Sequence, residues 1–245
     1  DHPNERKIHK EKILKIGGIG ILFSSLFMLC VYRLINEENF FQMTLIESQI
    51  LISTIFLILG ALVDDLVGIN APKKLFFQFI AIAIIIKSGF ILSLSASIYL
   101  NIAITTGFYI LVINSMNLID GIDGLSTSLF ILFSLSAVIL SSSLSALDIK
   151  YYILIVIFMG SVISFLFLNF PPAKIFLGDT GSRLLGWILA VSIVYFSSFY
   201  EYNYQRIYLL SFLSLPFYDV IFVIINTMWI AFPFFMVMFL LEKTT

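Results

Sequence analysis

The segment that decides the fold is YYILIVIFMGSVISFLFL, residues Tyr151–Leu168, which contains no charged side chain. A second uncharged run covers Gly124–Leu147. A helix needs about 20 predominantly apolar residues to cross the hydrocarbon core of a bilayer, and each run approaches or exceeds that length. Backbone N–H and C=O groups in lipid must pair within the segment, and an α-helix satisfies this requirement. Both runs therefore predict transmembrane helices.

The composition of the whole chain supports the same fold class. The 245 residues are 60 % hydrophobic and only 12 % charged, with a mean hydropathy of +1.05. Soluble domains carry about 25 % charged residues, so a soluble enzyme is excluded, as is a disordered chain. The strands of a membrane β-barrel alternate in polarity over about ten residues, which these runs do not. We predict an all-α fold, a polytopic transmembrane helical bundle that forms a single domain over residues 1–245.

Apolar segments of suitable length recur along the chain and predict about 8–9 spans. The segments cover residues 16–34, 48–63, 75–92, 99–118, 125–144, 151–168, 184–200, 207–224 and, as the ninth, 227–241. The turn between the third and fourth spans is the weakest boundary, and we place it at the serine-rich stretch Ser93–Ser97.

The distribution of Lys and Arg predicts the orientation of these spans. When the basic segment 1–15 is placed in the cytoplasm, alternation of the spans puts nine basic residues inside and four outside. Short cytoplasmic loops carry the excess of Lys and Arg, so this orientation is favoured. It predicts a protein of the cell inner (cytoplasmic) membrane in which acidic residues of three separate motifs share the cytoplasmic face.

The first motif is Val63-Asp-Asp-Leu-Val-Gly68, at the end of the second predicted span. Adjacent carboxylates repel each other, and burial adds a desolvation cost to the charged forms. A divalent cation or a proton relieves both effects. The alternative is that Asp64 and Asp65 cap a helix end in the headgroup layer, but the helix dipole disfavours acids at a C-terminus.

The second motif is Asn114-Ser-Met-Asn-Leu-Ile-Asp-Gly-Ile-Asp-Gly-Leu125. A spacing of three places Asn114, Asn117 and Asp120 on one face of a helix. Two Asp-Gly pairs then interrupt the helix, since glycine tolerates positive φ. The alternative is a polar turn in which Asp123 caps the next helix. A cap does not explain two asparagines within a span, so the motif favours a binding or catalytic site.

The third motif is Phe176-Leu-Gly-Asp-Thr-Gly-Ser-Arg-Leu-Leu-Gly186. Its small and hydroxyl-bearing residues precede a predicted helix N-terminus, where free backbone N–H groups bind phosphate. A carboxylate such as Asp179 can hold Mg²⁺ against phosphate oxygens. The Gly-Lys-Ser/Thr ending of a P-loop is absent. The alternative is an ordinary N-capped loop.

Together the motifs predict several carboxylates and a phosphate-binding turn, without a cluster of histidine or cysteine ligands. Such oxygen ligands suit Mg²⁺ or Mn²⁺ better than zinc, and phosphoryl transfer is the chemistry that uses them. The alternative from another class is an ion- or proton-coupled membrane transporter. The gathering of the acids at one face and the lack of an internal repeat disfavour it. The net charge of −1 gives no electrostatic reason to expect a nucleic acid partner.

These motifs resemble the polyprenyl-phosphate N-acetylhexosamine-1-phosphate transferase family, glycosyltransferase family 4, in order and spacing. The resemblance also includes the opening Asp1–His9, the pair Gly17-Gly18 and the segment Pro216–Asp219, and it extends to about Ile225. It implies an undecaprenyl-phosphate N-acetylglucosaminyl 1-phosphate transferase-like enzyme in the lipid bilayer. The implied reaction transfers a sugar 1-phosphate from a UDP-N-acetylhexosamine to a polyprenyl phosphate and releases UMP, with Mg²⁺ as cofactor, or Mn²⁺.

The resemblance also implies roles for individual residues. Asp179 would be a Mg²⁺ ligand together with Asn117, and Asp64 and Asp65 would act at the carrier phosphate and the metal. Asp120 and Asp123, with Asn117, would bind the nucleotide-sugar and orient its pyrophosphate. The catalytic residues expected on this basis are Asp64, Asp65, Asp120 and Asp123. Substrate binding is expected from Asn114, Asn117, Gly178, Thr180, Gly181, Ser182 and Lys73. The opening segment is closer to the branch that serves lipopolysaccharide O-antigen, common antigen or teichoic acid linkage, and a homodimer is compatible with these observations.

Two departures from the family pattern lead to a further expectation. The family has another helix before the opening segment, and it follows its Pro-x-x-Asp block with an arginine, a basic loop and an H-x-H-H cluster. In this chain Asn226 takes the position of that arginine, and residues 226–245 form an atypical apolar tail. The loss of cationic donors predicts little transferase activity for the chain as written. An inactive, truncated family member is therefore an alternative.

Overall fold

The computed structural model describes residues 14–37, 45–141 and 149–199, and these fold into seven α-helices. The helices are α1 (Gly17–Ile35), α2 (Leu45–Val67), α3 (Ala71–Lys87), α4 (Ile98–Ile119), α5 (Leu125–Ser141), α6 (Ile149–Asn169) and α7 (Gly178–Phe199). Five of them, α1, α2, α4, α6 and α7, are long and apolar enough to cross a membrane. The described part of the chain is therefore a multi-pass helical membrane protein, as the composition predicts.

Each of the first seven predicted spans corresponds to one of these helices. The predicted turn at Ser93–Ser97 is confirmed, because α3 ends at Lys87 and α4 begins at Ile98. The seventh helix begins at Gly178, six residues before the predicted start of that span at residue 184. The eighth and ninth predicted spans, the segment 1–13 and the tail 226–245 lie outside the described residues.

Helix α7 is the centre of the bundle, since it packs against α1, α2, α4 and α5. The apolar window of α7 is 83 % buried, whereas that of α1 is 17 % buried. Trp187 of α7 is fully buried against Tyr109 of α4, with ring centroids 5.4 Å apart. Its indole N–H donates to Thr54 Oγ1 of α2 over 2.9 Å. These contacts fix the position of α7, and with it the position of the third motif.

Close backbone contacts bring α1 and α2 against their neighbours. A Cβ atom added to Gly18 would lie 2.2 Å from the backbone nitrogen of Gly181, so α1 and α7 meet through these glycines. Gly60 of α2 likewise leaves space for the ring of Phe77 on α3, which a Cβ atom at that position would overlap. Small residues at helix crossings allow such approaches, which maximise packing contacts in a membrane.

A short backbone clasp ties the start of α1 to the loop that precedes α7. Leu14 forms an isolated parallel bridge with Ile175, and Phe176 N donates to Leu14 O over 2.9 Å. The N–H groups of Gly17 and Gly18 then donate to the carbonyls of residues 176 and 177. The clasp satisfies amides at the first turn of α1, which have no partner within the helix. It also places the end of the basic segment beside the third motif.

Candidate functional site

Asp65, in the last turn of α2, caps the N-terminus of α7. Its carboxylate oxygens accept hydrogen bonds from Asp179 N at 3.0 Å and from Thr180 N at 2.8 Å. The hydroxyl of Thr180 donates to the same carboxylate over 2.6 Å. An acid is unfavourable at the C-terminus of its own helix but favourable at the N-terminus of another, where the dipole is positive. This cross-helix cap explains why α7 begins at Gly178, earlier than its apolar run.

Asp64, the preceding residue, lies in a cluster of two carboxylates and two cations. Arg183 Nη2 donates to Asp64 Oδ2 over 2.5 Å and to Asp179 Oδ2 over 2.8 Å. Lys74 Nζ, from α3, lies 2.5 Å from Asp64 Oδ2 and 3.8 Å from Asp179 Oδ2. The other oxygen of Asp64 accepts from Ile69 N at 3.0 Å. We call Asp64, Lys74, Asp179 and Arg183 the charged cluster.

The two asparagines of the second motif have different partners. Asn117 Oδ1 accepts a hydrogen bond of 2.7 Å from the hydroxyl of Ser182, which ties α4 to the first turn of α7. Asn114, one turn further into the helix, exchanges two amide hydrogen bonds with Gln78 of α3, at 3.1 and 3.3 Å. Asn117 therefore adjoins the charged cluster, whereas Asn114 links two helices.

The loop between α4 and α5 is held by its own acids and by the loop before α7. Asp123 Oδ2 accepts a hydrogen bond from Ala173 N over 3.0 Å. The Ser126 hydroxyl donates to Asp120 Oδ1 over 2.6 Å. Burial, with a smaller contribution from the negative charges of Asp179 and Asp123, raises the pKa of Asp120 to about 7, although the Ser126 hydrogen bond and the charge of Lys15 act in the opposite direction. The shift therefore reflects mainly the burial of Asp120, with a smaller part from the charges of Asp179 and Asp123.

The structure thus brings all three acidic motifs to one end of the bundle. The contacts join α2 to α7, α3 to α2 and α7, and α4 to α7. The acids therefore share a face, as the alternation of spans predicts. Within residues 14–37, 45–141 and 149–199, the acids of the three motifs do not form a path through the bilayer of the kind that a transporter would use.

The turn of the third motif, which is predicted to bind phosphate, is packed within the protein in this structure. The N–H groups of Asp179 and Thr180 are not free, because Asp65 accepts from both of them. The backbone of Gly181 lies against Gly18, and the side chains of Thr180 and Ser182 are buried with partners of their own. Gly178, at φ +77°, has Lys15 O and Asp65 Oδ2 next to it. Gly178, Thr180, Gly181 and Ser182 thus pack against neighbouring groups, and their contact with a substrate stays a prediction.

The structure also shows the surroundings of Lys73 and Asn114, the two other residues expected to bind substrate. Lys73 is exposed at the start of α3, and its neighbour Lys74 contacts the acids instead. Successive helical residues point about 100° apart, since a turn contains 3.6 residues, and parity of spans cannot distinguish them. The side-chain amide of Asn114 forms its hydrogen bonds with Gln78, so its contact with a substrate stays a prediction.

Sequence reasoning did not assign Arg183 or Lys74 to the site. Arg183 follows Asp179 by four residues at a helix start, and this spacing brings opposite charges together on one helix face. That signal could have identified Arg183. Lys74 and Asp64 belong to different helices, and no local spacing reveals their contact.

The fit of a divalent cation can be tested on these residues. In residues 14–37, 45–141 and 149–199, no group of three or more Asp, Glu, His or Cys side chains is arranged to hold a metal ion. Asp64 and Asp179 are nevertheless held close together, since both accept from the same nitrogen of Arg183. Mg²⁺ in phosphoryl-transfer sites is held by one or two carboxylates plus substrate phosphates. The residues fit the ion in that form, with the remaining ligands supplied by a phosphorylated substrate.

The fold and the site define a class: a multi-pass helical membrane protein with a polar site at one end of its bundle. Comparison with known sequences then gives the family, because the profile of glycosyl transferase family 4 matches residues 48–197. The chain belongs to this family of polyprenyl-phosphate hexosamine-1-phosphate transferases.

Individual relatives agree with the family assignment. The chain is 26 % identical over 200 residues to a Bacillus subtilis protein named "Probable undecaprenyl-phosphate N-acetylglucosaminyl 1-phosphate transferase", covering 78 % of this chain and 53 % of that protein. It is 27 % identical over 215 residues to the decaprenyl-phosphate N-acetylglucosaminephosphotransferase of Mycobacterium tuberculosis, covering 78 % and 52 %. It is 30 % identical over 215 residues to the phospho-N-acetylmuramoyl-pentapeptide-transferase of Wolbachia pipientis, covering 78 % and 63 %. The chain spans about half the length of the first two relatives.

Proposed function

We propose that this chain transfers N-acetylhexosamine 1-phosphate from a UDP-sugar to undecaprenyl or another polyprenyl phosphate and releases UMP. The reaction would take place at the cytoplasmic face of the inner membrane and would start the synthesis of a cell-envelope polysaccharide. The observation that carries the proposal is the meeting of the three acidic motifs at one end of the bundle. The names of the relatives support the polyprenyl phosphate acceptor and the amino-sugar donor.

The transfer requires a carrier phosphate oxygen to attack the sugar-bound phosphorus of the UDP-sugar. A new P–O bond forms, and the bond from that phosphorus to the oxygen bridging to UMP breaks, so UMP leaves with the bridging oxygen. Both reactants carry negative charge, and positioning and charge neutralisation carry most of the catalysis of phosphoryl transfer. A bound Mg²⁺ would supply Lewis-acid stabilisation of the phosphate oxygens.

The residues of the site would have different roles in this reaction. Lys74 and Arg183 form ion pairs with Asp64 and Asp179, and they would neutralise phosphate oxygens. Asp179 is the part-exposed carboxylate of the charged cluster, with a side-chain exposure of 34 %, so we assign it to the cation. Asp65, Asn117 and Ser182 would hold the first turn of α7 and so orient Asp179. Asp120 and Asp123 line the neighbouring loop, where the nucleotide-sugar would bind.

The test measures transfer of radiolabelled N-acetylglucosamine 1-phosphate into lipid extract, with purified protein, undecaprenyl phosphate and Mg²⁺. The chain as given is compared with a chimera that carries a basic, histidine-containing family loop after Ile225, and we expect the chimera to be the more active. In the active form, Asp179→Asn should reduce turnover by about 10²–10³, the usual effect of losing one preorganised electrostatic group. Glu37→Gln, in the exposed turn after α1, is the matched control and should retain turnover.

Two results would contradict the proposal. Lack of lipid-linked label and of UMP release in both the chain and the chimera would argue for the inactive or the transporter alternative. Near-normal turnover of Asp179→Asn at saturating Mg²⁺ would remove Asp179 from the metal site.

A further inference from the structure

Arg183 occupies a position between two acids that a divalent cation would otherwise bridge. We propose that Arg183, with Lys74, keeps Asp64 and Asp179 neutralised, so that a metal ion binds tightly only together with a diphosphate. The proposal rests on the transfer function proposed above. It concerns how this chain's own cations control metal binding.

The positive and negative charges of the charged cluster balance each other. One nitrogen of Arg183 contacts both Asp64 and Asp179, and the side chains of Arg183 and Asp64 are only 4 % and 5 % exposed. Buried charges are stable only when they are paired. With Lys74 also on Asp64, two positive charges face two negative charges. A neutral cluster exerts little net attraction on a free cation.

The two cations of the charged cluster differ in their exposure. The Lys74 side chain is 31 % exposed and lies 3.8 Å from Asp179, so it can turn toward solvent or a ligand. Arg183 is enclosed and stays in place. Among the described residues, Arg183 Nε is buried and has no hydrogen-bond acceptor. A phosphate oxygen would supply the missing acceptor, since guanidinium groups pair strongly with phosphate.

The supply of ligands also limits the binding of a free metal ion. The described residues offer no group of three side chains that could hold a metal ion alone. A diphosphate brings both the additional oxygens and the negative charge that the neutralised cluster lacks. Metal and diphosphate should therefore increase each other's affinity, because thermodynamic coupling between two ligands is reciprocal.

The experiment measures binding of Mn²⁺ alone to the purified full chain in detergent, by electron paramagnetic resonance of the free ion. Arg183→Met removes the positive charge beside Asp64 and Asp179 while keeping an extended side chain. We expect this variant to bind Mn²⁺ at least about tenfold more tightly than the wild type, because a cation a few ångströms from the metal repels it. Unchanged or weaker Mn²⁺ binding by Arg183→Met would overturn the proposal.

The matched control is Arg33→Met. Arg33 is also buried and paired with an acid, Glu47, at 3.2 Å, but it lies at the far end of α1. About 15 residues of helix separate it from Gly18, or about 22 Å at 1.5 Å per residue. This variant should bind Mn²⁺ as the wild type does, and equal tightening in both variants would contradict a local effect.

A second pair of variants keeps the proposal testable if Arg183→Met does not fold. Lys74→Met should also tighten Mn²⁺ binding, whereas Lys73→Met, one residue away and exposed, should not. If Lys74→Met has no effect either, the cations do not control metal binding.

Equilibrium dialysis of radiolabelled UDP then separates this proposal from the proposed function. We expect the wild type to retain UDP at least about tenfold better with Mn²⁺, and Arg183→Met to show a smaller difference. A wild type that retains no UDP at any Mn²⁺ concentration would contradict both the proposed function and the coupling. A wild type that retains UDP, with an Arg183→Met variant of unchanged Mn²⁺ affinity, would overturn the role of Arg183 alone.

Discussion

The cap that Asp65 forms across two helices predicts a specific loss of stability. Asp65→Ala removes the acceptor of three hydrogen bonds, from the amides of Asp179 and Thr180 and from the Thr180 hydroxyl. Loss of an N-cap costs about 0.5–2 kcal/mol, and a hydrogen bond to a charged group contributes about 1.5–3 kcal/mol. Asp65 is only partly buried, so water can replace some of these bonds. We therefore expect a loss of about 2–3 kcal/mol in the free energy of unfolding.

The assay is thermal unfolding in detergent, without metal or substrate, so that catalysis does not influence the result. Trp187 reports the transition by fluorescence, because its indole is buried and bonded to Thr54 across the contact between α7 and α2. A loss of 1 kcal/mol lowers the Tm of a domain of this size by about 2–4 °C, so Asp65→Ala should lower it by about 5–10 °C.

Two further variants complete the stability series. Asp65→Asn should lose less than half as much free energy of unfolding as Asp65→Ala, because Asn is as good an N-cap as Asp. Glu37→Ala, at an exposed turn, is the control and should leave the Tm unchanged. If the Tm of Asp65→Ala lies within about 1 °C of the wild-type Tm, then the carboxylate does not anchor α7, and the predicted loss of stability is refuted.

Three other predictions concern topology, packing and pH. In a Cys-free background, Lys174→Cys and Glu37→Cys should react with impermeant thiol reagents from opposite sides of the membrane, and labelling from one side would contradict the shared face of the acids. Gly18→Ala should prevent the close contact of α1 with α7 and lower the Tm markedly, because its Cβ would lie 2.2 Å from a backbone nitrogen. Gly20→Ala is the control, since nothing lies within 4 Å of its added Cβ, and equal effects would refute the packing argument. The pKa of Asp120 is about 7 in the folded protein, whereas its ordinary value is 3.8. Between pH 3.8 and 7, the folded state therefore binds more protons than the unfolded state. The Tm in metal-free buffer should therefore fall as pH rises from 5 to 7, and Asp120→Asn should reduce this slope; parallel slopes would contradict it.

The membrane class, the seven described helices and the common face of the acids could all be predicted from the sequence. The bilayer requires long apolar helices whose ends alternate between its two sides, so composition and parity alone bring residues 64, 120 and 179 to one face. The family was identified separately, from the resemblance of the motifs to a known family, and the family profile confirms it over residues 48–197.

The partners of individual side chains depended on the tertiary structure. Asp64 and Arg183 lie 119 residues apart, and Asp65 and Thr180 lie 115 residues apart, so no local spacing connects them. The motif at the start of α7 was expected to offer free amides to phosphate, but an acid from α2 already accepts them. Helix propensity and hydropathy specify which segments cross the membrane, whereas the rotation and depth at which two helices pack decide which charges meet. For this reason the contacts of Lys74 and Arg183 with Asp64 became visible only in the assembled bundle.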